Sequence, residues 1–207
     1  MSDSLRERVL MAALPEIPQD GFSDAVLSRA GEAAGASRRD MLDAFPQGAA
    51  SLAEAFSHWA DARMSDAMAG DLSERARDKV RNAVRARIEA LQPHKAAARR
   101  AAAFLALPEN LGLATRLSMR SVDLMWRAAG DRSSDFSYYT KRGLLGGVYG
   151  STLLYWLSDS SEDSKDSWEF LDARIEDVMG LEKLRTAAAE TFSKLPNPLD
   201  LIAGLRR

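Results

Sequence analysis

The chain has 207 residues, 46% of them hydrophobic, and a formal charge of −2, enough for one medium domain or one domain with a small appendage. It has no cysteine, which excludes disulfides, thiolate zinc sites and a cysteine nucleophile. Its longest uncharged apolar stretch, Gly143–Leu157, has 15 residues, four of them glycine. A membrane span needs about 20, so the composition predicts a soluble or membrane-surface protein.

The first residues, "MSDSLRERVLMAALPEIP", have no long apolar core and no small-residue cleavage site, and carry Asp3 and Glu7, which predicts neither a signal nor a transit peptide. Leu5, Val9 and Ala13 recur every four residues and predict a helix that Pro15 and Pro18 end. Ser23 is placed to cap a short helix over 25–33, and "GAS" breaks it. Ser37 then caps a second short helix, "RRDMLDAF", before Pro46. A longer helix over 48–68 precedes a break at Gly70–Asp71.

This order of helix, turn, short helix, turn and short helix is that of a helix-turn-helix unit. "GFSDAVLSRAGEAAGASRRDMLDAFP" resembles the DNA-reading segment of the TetR regulator family. The charge does not suit DNA. Residues 1–60 hold five Lys and Arg against nine Asp and Glu, a balance of −4, whereas phosphate neutralisation supplies most non-specific affinity. Asp40 and Asp43 would meet DNA with the wrong sign. The expectation is the architecture without the DNA function.

In the second part, Val80, Val84, Ile88 and Leu91 form a helical stripe, and Arg77, Arg81 and Arg85 form a basic row that reads as a solvated face rather than a headgroup site. Pro93 interrupts, and a helix resumes up to Pro108. Residues 115–129 carry a polar stripe of Arg116, Arg120, Asp123 and Arg127 beside Leu117, Val122, Met125 and Trp126. Trp168, Leu171, Ile175 and Val178 mark one more helix, with Gly180 as its C-terminal break. The fold class expected is all-α: a TetR-like bundle with a helix-turn-helix-like region over 1–70, a ligand-binding helical domain over 71–180, and an amphipathic tail over 181–207.

Between them lies "GDRSSDFSYYTKRGLLGGVYG". In one helix capped by Ser134, Asp135, Tyr138, Tyr139 and Arg142 share a face. Asp135 and Arg142 are about 10 Å apart along the axis, too far to pair, so each is expected free for water or a docked molecule. The rings are either half-buried with wet hydroxyls or part of a partner-docking patch. Phe136, Thr140, Gly143, Gly147 and Leu154 are the expected core side. Glycines 143, 146, 147 and 150, each costing about 1 kcal/mol in a helix, imply either a close neighbouring helix or an apolar ligand in the groove they leave. They have neither the spacing nor the lysine of a phosphate loop.

His58 and His94 stand alone and read as surface or structural residues. The acidic loop from Asp159 has Ser164 and Phe170 where a calcium loop needs Gly and Glu. No nucleophile motif appears, so no catalytic residue, metal or cofactor is predicted and the chain is not read as an enzyme.

Residues 80–180 carry a more specific resemblance. "VRNAVRARIEALQP", "SWEFLDARIEDVMG" and the stretch from Leu105 to Trp156, with the pattern DxMWxxAGDxSxDFxxYTxR over Asp123–Arg142, resemble the lipid-binding accessory protein of ubiquinone biosynthesis, partner of the demethoxyubiquinone hydroxylase. The resemblance implies a non-catalytic protein that holds an isoprenoid or quinone lipid and presents it to the hydroxylase. It places the partner surface on Met125, Asp135, Tyr138, Tyr139 and Arg142. Candidate lipid-lining residues are Leu117, Val122, Trp126, Leu145, Val148, Tyr149, Thr152 and Leu153. The resemblance also implies a membrane-touching C-terminal helix. Here Leu181, Leu184, Ala188, Phe192 and Leu195 keep helical spacing, and "PNP" at 196–198 breaks it. Phe192, Leu195, Leu199, Ile202 and Leu205 would then enter a bilayer with Arg206 and Arg207 at headgroups; the alternative is a tail docked on its own domain or a twin subunit. The expected setting is the bacterial cytoplasm, peripheral to the inner membrane, or the mitochondrial matrix side after processing, as a homodimer. The alternative function is a TetR-type transcriptional regulator with a small apolar effector.

Overall fold

The computed structural model describes residues 4–130 and 136–193, apart from the side chains of 136–139, 141 and 181–193. Among the described residues there are ten α-helices and no strand. They are α1 (Leu5–Ala13), α2 (Ile17–Asp20), α3 (Asp24–Ala33), α4 (Arg38–Ala44), α5 (Ala49–Met68), α6 (Ala76–Leu91), α7 (Lys95–Leu105), α8 (Leu111–Ala128), α9 (Phe136–Ser158) and α10 (Lys165–Ser193).

The helix starts follow from their caps. Ser23 Oγ accepts from the Val26 amide at the head of α3. Ser37 and Asp40 exchange a capping box at the head of α4. Asp40 is thus engaged in starting its own helix. Gly35, at φ +67, supplies the left-handed turn between the two. The α5 N-terminus has no cap of its own, and Asp24 Oδ1 on α3 accepts from the Ala49 amide at 2.8 Å, which fixes α5 to the helix-turn-helix unit. α1 ends at Ala13 before Pro15, and Pro18 sits in the first turn of the short α2, where its missing N–H costs nothing.

The hydrophobic core is continuous from Val9 to Ile175. The stripe Val80, Val84, Ile88 and Leu91 is buried on α6, and Leu171 and Ile175 are buried on α10. The basic row is held by carboxylates: Arg81 meets Asp78 and Asp172, and Arg85 meets Glu89 and lies over the Trp168 ring. Two cations close the C-terminal end of α9, where carbonyls lack helical partners. Lys95 Nζ donates to the Asp159 carbonyl at 2.6 Å, and Arg99 donates to the Leu157 carbonyl.

Two expectations are corrected. Gly180 does not end a helix: α10 runs through it to Ser193. A Cβ there would meet nothing within 4 Å, so the glycine costs helix propensity and nothing more. The expected core side of α9 is also corrected in part, with the side chain of Phe136 outside the described residues. Its inner face carries Arg142, Leu145, Val148, Tyr149, Thr152, Trp156 and Leu157, all buried. Gly143 and Gly147 are exposed, and Leu154 is 65% exposed, so they are not core.

Candidate functional site: two clefts beside α9

α9 is bordered by two clefts. One, of about 250 Å³, lies among α5, α6, α7, α8 and α9; its apolar walls include Phe56, Leu91, Leu117 and Leu153. The other, of about 260 Å³, lies among α6, α8, α9 and α10, with Val80, Trp126, Leu145, Val148, Ile175 and Met179 in its walls. Each is slightly below the roughly 300–1,000 Å³ of pockets that hold a drug-sized ligand. Either one accommodates part of a long-chain molecule.

The predicted lipid-lining residues divide between them. Leu117, Tyr149 and Leu153 line the first cleft; Trp126, Leu145 and Val148 line the second. Val122 and Thr152 line neither. Val122 is core, facing Gly146, and Thr152 is fully buried with its hydroxyl donating to the Val148 carbonyl at 2.7 Å.

Among the described residues of this chain, the α9 glycines have no close helix neighbour. A Cβ at Gly143, Gly147 or Gly150 would meet nothing within 4 Å, and one at Gly146 would meet only Val122 Cγ2 at 3.9 Å. Gly146 and Gly150 border the first cleft.

That cleft has a polar floor absent from the sequence expectations. Arg87 on α6 is 4% exposed. Its Nε donates to Asp61 Oδ1 on α5 at 2.7 Å, its Nη1 donates to the Tyr149 hydroxyl, and its Nη2 donates to Ser57 Oγ at 3.0 Å. Ser121 Oγ on α8 also donates to Asp61 Oδ1, at 2.8 Å. Asp61 Oδ2 has no hydrogen bond but faces Arg120 Nε at 3.5 Å. Burial opposes the Arg87 charge, yet the Tyr149 oxygen and the Asp61 carboxylate outweigh it and raise its pKa. Burial dominates at Tyr149 and raises its pKa, so the phenol keeps its proton. A signal for Arg87 exists in the sequence: it stands three residues after Val84 and four before Leu91, a charge inside the apolar stripe.

The predicted partner surface is divided. Met125 is 0% exposed. Arg142 is 3% exposed and bonded to Asp123. Neither is a surface group, which corrects the expectation of a free Arg142: the acid it meets is on α8, beyond the reach of a reading along one helix. Asp135 and the side chains of Tyr138 and Tyr139 lie outside the described residues, as do the side chain of Phe192 and all of Leu195, Leu199, Ile202, Leu205, Arg206 and Arg207. His94 stands edge-on to Trp59, and burial lowers the pKa of both His94 and His58. Among the described residues no three His, Asp or Glu side chains gather as a metal site would need.

The COQ9 family model matches residues 111–182, which covers α8, α9 and the first half of α10. Ubiquinone biosynthesis protein COQ9-B, mitochondrial, of Xenopus laevis is 34% identical over 203 residues, spanning 91% of this chain and 67% of that protein. The chain belongs to the COQ9 family. The rat and human COQ9 proteins, also named mitochondrial ubiquinone biosynthesis proteins, are 32% and 31% identical over 188 residues. This COQ9 chain spans about 60% of their length. The similarity extends over 86% of it, well into the N-terminal third that the sequence motifs covered only by helix pattern. Among solved structures, a TetR transcriptional regulator from Nitrosomonas europaea superposes with a TM-score of 0.65 at 21% identity, covering 84% of this chain and 97% of that one. The TetR-like architecture of this COQ9 chain is therefore established as a fold.

Proposed function

We propose that the chain is a non-catalytic, lipid-binding accessory protein of ubiquinone biosynthesis. It holds isoprenoid or quinone intermediates in the clefts beside α9 and presents them to the demethoxyubiquinone hydroxylase at a membrane surface. The observation that carries this reading is the pair of apolar clefts flanking α9, one bordered by glycines at which an added Cβ meets no close neighbour among the described residues. Both share walls with α8 and α9, which the COQ9 model matches, and also use helices outside that match. The relatives' names supply the pathway.

In this reading the lipid contacts Leu117, Tyr149 and Leu153 on one side and Trp126, Leu145 and Val148 on the other. Asp135, Tyr138 and Tyr139 meet the hydroxylase, and Met125 and Arg142 act from inside by holding α8 against α9. No helix among the described residues is long and apolar enough to cross a membrane. Membrane contact is assigned to the C-terminal tail. The setting is the inner face of the bacterial cytoplasmic membrane or, for a processed chain, the mitochondrial matrix side, with a homodimer of the repressor kind.

Lipid extraction and mass spectrometry of the purified protein test the reading. A co-purifying or readily taken-up isoprenoid is the expected result. A protein that is empty and takes up none would refute it.

A further inference from the structure

The polar floor of the Tyr149 cleft restricts what the cleft accepts. Arg87 directs its Nε, Nη1 and Nη2 at Asp61, Tyr149 and Ser57, and its charge is matched by the Asp61 carboxylate. Arg120, the other cation near Asp61, has a half-exposed side chain and does not line the cleft. An anionic head would have to displace Asp61, leaving a carboxylate buried without its partner. Tyr149 differs. Its oxygen accepts from Arg87, and among the hydrogen bonds of the described residues its own O–H donates to none. It is 5% exposed and lines the cleft. A buried donor without an acceptor is costly; Phe56, Leu91 and Leu153 wall the cleft beside it, with Ser57, Ser118 and Ser121 as further polar groups, so an oxygen carried by an apolar ligand fits there as its acceptor.

Resting on the lipid-binding reading above, we propose that this cleft takes the head of a neutral amphiphile, an apolar chain ending in a carbonyl, ether or hydroxyl oxygen, which accepts the Tyr149 O–H. Arg87 polarises that phenol by donating to its oxygen. Tyr149 is the specificity-determining donor; Arg87 and Asp61 position it. Carboxylate- and phosphate-headed lipids are disfavoured. The cleft's volume suits a head and a short stretch of chain, with the remaining chain outside it.

The test uses the full chain with three short probes of similar length, 2-nonanone, nonane and octanoate, and with the Tyr149→Phe variant. The expected result is that 2-nonanone binds about tenfold more tightly than nonane, the worth of one buried hydrogen bond, and that octanoate binds more weakly than the ketone. The infrared C=O stretch of bound ketone moves to lower frequency in the wild-type protein and returns toward its apolar-solvent position in Tyr149→Phe, while nonane affinity changes little. Should the variant fold poorly, the wild-type ranking and carbonyl frequency decide alone. Equal binding of ketone and nonane, or an unshifted carbonyl, overturns the donor assignment and leaves lipid binding standing. Tightest binding of octanoate overturns the neutral-head preference. Binding of none of the three removes both this inference and the reading it rests on.

Discussion

Arg142 on α9 reaches Asp123 on α8 with two donors, Nε at 2.9 Å and Nη2 at 2.7 Å, and only 3% of the arginine side chain is exposed. Asp123 also meets Arg127 one turn further along α8, at 2.7 Å. The pair joins the two helices on which both clefts depend. Replacing Arg142 with Met is expected to destabilise the fold by about 2 kcal/mol, less than the extreme for a buried pair because Arg127 still faces the acid. Thermal unfolding should register this as a Tm lower by roughly 4–8 °C. An unchanged Tm would return Arg142 to the surface role first expected of it.

Gly150→Ala should raise stability and lower lipid uptake together. The position is helical and the added Cβ meets nothing within 4 Å, so about 0.5–1 kcal/mol of helix propensity is gained. Gly150 borders the Tyr149 cleft, and the added methyl is expected to narrow it. Denaturant midpoints and lipid loading measured on one preparation check both halves; a variant that gains stability with full loading would detach the glycines from ligand space.

Tyr138→Ala combined with Tyr139→Ala is expected to weaken binding to the hydroxylase by about tenfold or more, as loss of aromatic anchors does. Tm should stay within about 2 °C of wild type. Surface plasmon resonance and differential scanning calorimetry separate a docking role from a packing role: a large Tm loss would make the rings core.

Removing residues 196–207 should reduce flotation with anionic liposomes. Leu199, Ile202 and Leu205 supply apolar contact and Arg206 and Arg207 supply charge. Undiminished flotation would show that the anchor lies elsewhere.

Asp159 gives a pH dependence. Burial pushes its pKa up, but hydrogen bonds from Ser167 and Ser161 outweigh this and hold it at about 2, below the ordinary 3.8. The folded value is the lower one, so the contribution is complete above pH 4 and is lost as pH falls toward 2. Unfolding midpoints from pH 6 to pH 2 should decline over that window, and the gap between wild type and Asp159→Asn should close at its acid end. A gap that is constant with pH would exclude the linkage.

Much of the fold was legible because contrast along the sequence was strong. Ser23, Ser37 and the "GAS" turn mark helix starts and stops by local chemistry alone, and the stripes on α6 and α10 set apolar residues against charges. α9 offered little such contrast. From Gly143 to Leu157 it is apolar or small on every side, so periodicity could not tell its inner face from its outer, and Gly143, Gly147 and Leu154 were read as core. Arg142 was misplaced for a related reason, since its acid is on another helix. The polar floor needed four helices brought together: Ser57 and Asp61 on α5, Arg87 on α6, Ser121 on α8 and Tyr149 on α9 are scattered through the chain, and only the charge at position 87 within an apolar stripe hinted at them.

The continuity of α10 through Gly180 has a mechanical consequence. Its 29 residues make a rod of roughly 43 Å at the usual rise per residue. Ile175, Val178 and Met179 near its midpoint form part of the wall of the Trp126 cleft. With no joint at Gly180, a push or pull on the distal half is levered straight onto that wall.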